Sequence, residues 1–369
     1  MKKYKIFVIN PGSTSTKLAL FENEHKILET NVFHDSSVLL QFPTVNAQLP
    51  YRKKPIMDFL SENHIDLSDV DAIVGRGGSC YPVASGVYVI DDKLIEDTAA
   101  GKGGMEHPSN LGVQLARELQ KEFGGRIFMV DPPCVDELCD MARMTGIDGV
   151  PRHTNMHALN LRGVAMHHAK HVLGKKYEDC CFIVCHIDGG ISVSAHRYGR
   201  IIDCNDAAGG DGPYTPTRIG SVSVADILEY VRDKDVDEVK KLCTRTGGFV
   251  SHFGTSSSDA VHKMAEEGNK KAIRVWDGMK YQIVKYIGAM AAVLGGRVDG
   301  ILLTGGLLRF EDITQTIREQ CGWIAPVSTY PGEVEHEALA AGALRVLRGE
   351  EEPKHYTGRP VWDGWHDED

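Results

Sequence analysis

Ile6-Phe-Val-Ile-Asn-Pro-Gly-Ser-Thr-Ser-Thr-Lys-Leu-Ala-Leu20 runs a short apolar strand into a polar turn, and the alternating pattern of Lys17 to Leu20 follows at once. The turn Asn10-Pro11-Gly12-Ser13-Thr14-Ser15 concentrates backbone N–H and hydroxyl donors at one point, and Gly12 can take backbone angles closed to other residues. No Gly-x4-Gly-Lys-Ser/Thr occurs in the chain, and a strand rather than a helix follows the turn. The segment therefore reads as a hairpin phosphate cradle and not as a P-loop. The alternative is an ordinary hairpin with a polar tip.

A second stretch, Cys181-Phe-Ile-Val-Cys-His-Ile-Asp-Gly-Gly-Ile-Ser-Val-Ser-Ala-His196, repeats the order of apolar strand, glycine turn, hydroxyl residue and strand. Gly199-Arg-Ile-Ile-Asp-Cys204 continues it as a third strand. Two such hairpins imply a duplicated domain with a phosphate chain between the halves, held by Gly12, Ser13 and Ser15 on one side and by His186, Asp188, Gly189, Gly190 and Ser192 on the other. Ile301-Leu-Leu-Thr-Gly-Gly-Leu307 is a third glycine turn, placed before a helix expected from about Phe310 to Gln320. Gly305 and Gly306 there can receive a phosphate or let an adenine ring lie against backbone.

Composition narrows the function classes. A chain of 369 residues suits two domains, and 42% hydrophobic with 25% charged residues is ordinary for a globular protein. A net charge of −10 without a basic block argues against nucleic acid as a partner. The apolar run behind Met1-Lys-Lys-Tyr-Lys5 is too short for a signal peptide, and no run is long enough to span a membrane. The nine cysteines are odd in number and lack Cys-x2-Cys spacing, so reduced thiols in a cytoplasmic protein are expected. His167, His168 and His171 read as a solvated helical surface rather than a metal site, since no carboxylate or cysteine joins them at ligand spacing.

The patterning predicts an α/β chain. Strands are expected at 4–10, 16–22, 26–33, 70–75, 87–90, 126–130, 181–187, 192–197, 200–204 and 299–303. Helices are expected at 50–63, 110–123, 135–143, 155–173, 222–230, 235–242, 258–267, 269–294 and 335–348. Pro151 and the polar Arg152-His153-Thr154 mark a domain boundary, giving domains 1–151 and 152–349 and a charged tail, 350–369, expected to pack loosely or to lie on a neighbouring subunit.

Several segments in collinear order resemble the acetate and butyrate kinase family, within the superfamily of sugar kinases, actin and chaperone ATPases. They are Ile9-Asn-Pro-Gly-Ser-Thr-Ser-Thr-Lys-Leu18, Val74-Gly-Arg-Gly-Gly78, Glu106-His-Pro-Ser-Asn-Leu-Gly112, Val130-Asp-Pro-Pro133 and Met156-His-Ala-Leu-Asn160. Further along come His186 to His196, Asp211-Gly-Pro-Tyr-Thr-Pro-Thr-Arg218, Leu303-Thr-Gly-Gly306 and Tyr330-Pro-Gly-Glu-Val-Glu-His-Glu-Ala-Leu-Ala340. The resemblance, closest to the butyrate and branched-chain fatty-acid kinases, implies two ribonuclease-H-like domains with an active-site cleft between them. It also implies MgATP as donor, a short-chain carboxylate as acceptor, an acyl phosphate product, and a homodimer or larger assembly.

Joining ATP to a carboxylate brings two anions together, so the site must neutralise charge and hold the reactants in line. Arg76 is the candidate to bridge carboxylate and phosphoryl group, with Gly77 and Gly78 leaving room for an acyl tail. Its alternative is a surface arginine on a structural turn. His157 resembles the family's donor to the transferring phosphoryl group, with Met156 beside it; a satisfied buried histidine is the alternative. His107 and Asn110 match the segment lining the acyl site, or cap the helix that starts there. Asp131 ends a strand and either orients Mg2+ or Arg76, or forms a structural salt bridge. Asn10 is assigned to the metal and Lys17, less securely placed on a strand, to phosphate. Of Glu333, Glu335 and Glu337 the resemblance requires one metal-linked glutamate; Glu335 is the first choice and Glu337 the second, an acidic helix start being the alternative. Arg218, directly after the Pro216 turn, follows the butyrate pattern and is the second cation. The chain departs from that pattern at Asp188, where a carboxylate beside phosphates repels them unless Mg2+ or a basic partner is near, and at Met156, Gly209 and Ile219 to Ser221. Two other acceptor classes, branched-chain acids and propionate or acetate, fit the same chemistry. A further alternative is an ATP-driven conformational module without acyl transfer; a dehydrogenase is disfavoured, for no Gly-x-Gly-x2-Gly occurs.

Overall fold

A computed structural model describes residues 2–104 and 107–365; Glu106 of the quoted segments and the last four residues of the tail lie outside the described residues. The chain forms two compact units, one of Met1–Asp136 with Val334–Asp369 and the other of Glu137–Glu333.

In the first unit β1 (Lys5–Pro11), β2 (Ser15–Glu22) and β3 (His25–Phe33) form an antiparallel meander. β4 (Ala72–Gly75) joins β1 in parallel, β6 (Arg126–Val130) joins β4 in parallel, and β5 (Val87–Val89) closes the edge, giving the order β3-β2-β1-β4-β6-β5. Strand alternation sends Phe7, Ile9, Ile73, Ile127 and Met129 into one core, shared with Leu111, Leu115 and Leu119 of the helix Leu111–Phe123. The opposite face takes the helix Glu335–Leu347, where a Cβ on Gly342 would come within 2.7 Å of Val130.

The second unit repeats this plan. β7 (Cys181–Ile187), β8 (Ile191–Arg197) and β9 (Arg200–Cys204) form the meander, and β10 (Gly300–Gly305) and β11 (Val327–Pro331) add in parallel, giving β11-β10-β7-β8-β9. Ile183, Cys185, Ile187, Ile301 and Leu303 pack with Trp276, Met279, Ile283 and Ile287 of the helix Lys270–Val293. The helix Ala158–His168 covers the other face of β7 and β10. An antiparallel triplet followed by parallel strands, present twice, is the duplicated α/β architecture anticipated from the two hairpins.

Several expectations need correction. The units divide at 136/137 and again at 333/334, rather than at 151 and 349, because the apolar face of the 335–347 helix (Leu339, Ala343, Val346) packs on the first sheet. The expected 135–143 helix keeps only Asp140–Arg143; Val135 instead bridges Val83, with Asp136 N donating to Val83 O at 2.8 Å. β11 escaped the pattern because it is a half-exposed edge strand without alternation. The short helix Asp92–Ala99, capped by Asp91, was missed as well. The described part of the tail packs back on the first unit: Lys354 N donates to Val87 O (2.7 Å), and buried Tyr356 donates its hydroxyl to Asp97 (3.0 Å). Among the described residues no helix is long and apolar enough to cross a membrane.

Candidate active site

In the first unit three distant segments converge at the carboxyl ends of β1 and β4. The parallel register sets Ile9 opposite Gly75, and Arg76 N donates to Ile9 O at 2.9 Å, so Asn10 and Arg76 leave the sheet side by side. Gly75 lies so close to the 111–123 helix that a Cβ would sit 2.2 Å from Gly112 O, and one on Gly112 would sit 2.1 Å from Arg76 O. This contact fixes where the Arg76 side chain departs. Glu335, the first residue of its helix and nearly fully buried, accepts on Oε2 from Asn10 Nδ2 (2.6 Å) and from Arg76 Nη1 (2.7 Å). Arg76 Nη1 also reaches Asn10 Oδ1 at 3.2 Å. Both bonds of the guanidinium pass through Nη1, and Nε is buried without a partner, so the planar fork keeps donors for an anion. Glu335 keeps Oε1 outside these bonds. One carboxylate with an amide oxygen is the hard-donor set that suits a Mg2+ ion carried in with phosphates.

The other glutamate named for the metal stands apart. Glu337 pairs with Lys26 at 3.0 Å, its side chain about half exposed. Lys17 is opposite Asn10 in the β1–β2 register and so shares its face of the sheet. Asp131 follows β6 with φ +37°, a conformation uncommon outside glycine, and its Oδ1 accepts from Gly86 N at 2.7 Å. Gly77 and Gly78 leave no room beside them: added Cβ atoms would meet Met129 Sδ at 2.4 Å and Asn110 Oδ1 at 2.0 Å. Their smallness serves close packing, which corrects the expectation of acyl space. Buried Asn110 accepts from Ser79 N (2.8 Å), and His107 caps the turn Pro108–Asn110 through Ser109 N (3.1 Å) while its Nε2 lies 3.4 Å from Ser13 Oγ.

The first hairpin turn is held from below by a residue the motifs did not reveal. Arg52, on the helix Leu49–Glu62, donates from Nη1 to Gly12 O (3.0 Å), Ser15 O (3.1 Å) and Thr16 Oγ1 (3.2 Å), and from Nη2 to Ser13 O (3.1 Å). Gly12 does not take a positive φ, and a Cβ there would meet nothing nearer than 3.6 Å. The backbone therefore does not demand glycine at 12, and the absent side chain leaves the turn open.

In the second unit His157 precedes the 158–168 helix. Its Nδ1 lies 2.8 Å from Ser192 Oγ, and its ring stacks on buried His186 at 4.1 Å between centroids. His186 and Ser192 are cross-strand partners beside the second hairpin turn, so β7 and β8 set the imidazole's orientation. If the Ser192 hydroxyl donates to Nδ1, the ring proton sits on Nε2, the tautomer that presents a donor. Met156, just before it, is buried.

The second turn is clamped differently. Thr215 and Thr217 hydroxyls donate to Gly189 O at 2.6 and 3.2 Å, and the Arg218 guanidinium lies where a Gly190 side chain would be, 2.6 Å from its Cβ position. Arg218 Nη1 donates to Ala207 O, and burial lowers the guanidinium's pKa against the opposing pull of Asp206. Buried Pro216 accepts from Val250 N at 3.1 Å, anchoring this loop. Asp188 accepts from Gly189 N (2.8 Å) and Gly306 N (2.7 Å), tying the second turn to the third. Its charge is thereby directed onto two peptide dipoles. The same bonds occupy the Gly189 and Gly306 N–H groups assigned to phosphate. Gly305 takes φ +109°, with a Cβ position 2.3 Å from Ile187 O; a 3-10 turn, Gly306–Arg309, follows before the helix Glu311–Cys321, whose first turn is acidic. That helix start is no anion receiver, which leaves close backbone approach as the reading of this turn.

Residues 150–324 match the family model described as the acetokinase family. Over 355 residues the chain is 42% identical to a probable butyrate kinase of Clostridium botulinum, spanning 96% of this chain and 99% of that protein. It is 42% identical to butyrate kinase 2 of Clostridium acetobutylicum and 45% identical to probable butyrate kinase 2 of Caldanaerobacter subterraneus, each match spanning 96% of this chain and 99% of the relative. Among solved structures, the acetate kinase of Porphyromonas gingivalis aligns with a TM-score of 0.75 at 18% identity, covering 93% of this chain and 100% of that one. A propionate kinase of Francisella tularensis aligns at 0.72 with 16% identity, covering 92% of this chain and 98% of that one.

Proposed function

Because the chain belongs to the acetokinase family, we propose that it is a butyrate-type carboxylate kinase, moving a phosphoryl group reversibly between ATP and a short fatty acid: butanoate + ATP give butanoyl phosphate + ADP. The observation that carries the reading is the convergence of Asn10, Arg76 and Glu335, because a guanidinium with open donors beside a single buried carboxylate suits a site that must gather two anions.

Arg76 bridges the acceptor carboxylate and the moving group through its free donors, while Glu335 and Asn10 hold it in place. His157 donates from Nε2 to the phosphoryl oxygens as charge spreads over them, oriented by Ser192 and His186. Arg218 is the second cation. Gly12, Ser13, Ser15 and Lys17 receive the phosphates, and Gly305 with Gly306 gives the adenine a flat backbone surface. His107, Asn110 and Met156 belong to the acyl side. Glu335 and Asn10 hold Mg2+, which when bound neutralises phosphate charge. The two backbone bonds of Asp188 support a structural task for it, and they weaken the alternative of a purely conformational ATPase.

We take the enzyme to act in the cytoplasm, which nine free cysteines support, and as a homodimer or larger assembly, which light scattering tests. The activity itself is tested by incubating the protein with MgATP, hydroxylamine and a panel of two- to six-carbon acids. Butyrate should give ADP and a trapped hydroxamate; silence with every acid overturns the proposal. Ranking the panel by kcat/KM identifies the acceptor, since one methylene is worth about 1–3 kcal/mol in a pocket.

A further inference from the structure

Arg52 is 0% exposed and heads the largest fully buried side chains among the described residues. Its remaining donor, Nε, goes to Gln48 Oε1 at 3.0 Å, so every acceptor around it is neutral: three carbonyls, a hydroxyl and an amide. No carboxylate pairs with it among the described residues. The adjacent His34 adds no negative charge; burial, and then the charge of Arg52, push its pKa down to about 4. Burial also draws the guanidinium to about 10, still cationic at neutral pH. An ion enclosed without a counter-charge is strongly disfavoured unless something else compensates it.

The acceptors indicate what that is. The carbonyls of Gly12 and Ser13 turn onto Arg52, and in a planar trans peptide the N–H points opposite the C=O. The N–H groups of Ser13 and Thr14 are thereby turned away from the guanidinium. A concavity of outward N–H groups above an enclosed cation favours an anion.

We propose that Arg52 is a positioning residue for the nucleotide: it locks the Gly12–Ser15 turn with its N–H groups outward and supplies the enclosed positive charge whose counter-ion is the polyphosphate. This rests on the reading that the turn receives phosphates. Arg52 touches no reactant itself and acts through the turn.

The test compares binding of adenosine, ADP and ATP, with Mg2+ present, to full-length wild type, Arg52→Gln and Arg52→Lys. Arg52→Gln should weaken ADP and ATP at least tenfold and leave adenosine within twofold, with the KM for the carboxylate within twofold. Arg52→Lys keeps the charge but loses the fork, and should recover part of the loss. A structural role alone would lower Tm and weaken all three ligands alike; that pattern, or unchanged affinities, overturns the proposal. Should Arg52→Gln not fold, Arg52→Lys decides by the same comparison, with at least a threefold loss expected for ADP and ATP only. A wild type that binds the three ligands in the expected order but phosphorylates no acid sinks the kinase reading while the Arg52 comparison still stands. A wild type without nucleotide affinity overturns both.

Discussion

Asn10 Nδ2 and Glu335 Oε2 meet at 2.6 Å across 325 residues of sequence, and Arg76 Nη1 closes on the same carboxylate oxygen at 2.7 Å. The three groups define one another's orientation, so their functional effects should not be additive.

Glu335→Gln keeps the shape and removes the charge that holds Arg76. It should lower kcat/KM for phosphoryl transfer by about a hundredfold, in line with losing roughly 3 kcal/mol of a hydrogen-bonded buried charge pair. Arg76→Lys should do comparable damage, and Glu335→Gln with Arg76→Lys little more than either alone. Steady-state kinetics of the four proteins check this; strict additivity would contradict the shared role.

His157→Asn should reduce kcat by about a hundred- to a thousandfold with less change in either KM, the size expected for one donor aimed at developing charge. Ser192→Ala should give a milder defect and alter the pH profile of kcat, because the imidazole loses the partner of Nδ1. Identical pH profiles for Ser192→Ala and wild type would argue against the tautomer described.

Asp188→Asn keeps one acceptor oxygen but replaces the other with a donor that faces a peptide N–H. Stability should fall by about 1 kcal/mol, the cost of a partly buried group left without its partner. Urea unfolding at pH 7 measures it. An unchanged midpoint would mean that the tie between Gly189 and Gly306 is dispensable.

Acid should destabilise the protein in a defined window. Among the described residues, fully buried His196 bonds only to Tyr177 and Ser194, and desolvation, with a smaller push from Arg162, takes its pKa down to about 3. His34 lies at about 4 for the reason given above. The unfolded chain binds these protons first, near 6.5. The stability they contribute is therefore full above that pH and is lost as pH falls from 6.5 toward 4, by on the order of 2 kcal/mol for each. Urea midpoints at pH 7, 6 and 5 should drop, and His196→Gln should show a shallower drop. Equal slopes for the variant and wild type would refute the assignment.

The two hairpins were legible because strand alternation and glycine turns are local signals. Asn10, Arg76 and Glu335 were each named through the family segments, but not as partners of one another, since nothing local joins residues so far apart. Arg52 was not legible. No motif singles it out within the expected 50–63 helix, and only the packed helix reveals that Arg52 faces inward while Lys54 is exposed. Gly77 and Gly78 were misjudged for a related reason: glycine signals that something comes close, without saying whether it is a ligand or Asn110 and Met129. The domain limits were misread because a polar stretch such as Arg152 to Thr154 marks a loop, whereas membership of a unit is decided by which sheet an amphipathic helix covers.

The first sheet receives one of its covering helices from the far end of the polypeptide. During synthesis, β1 to β6 emerge early but wait for residues 335–347 before Val130 and its neighbours are sheltered, while Glu137–Glu333 is uninterrupted and can assemble beforehand. A chain ending near residue 333 thus carries all of the second unit but leaves one face of the first sheet uncovered, and it also lacks Glu335. Such a truncated chain should therefore be inactive and aggregation-prone at once, through the very face the last helix was to cover.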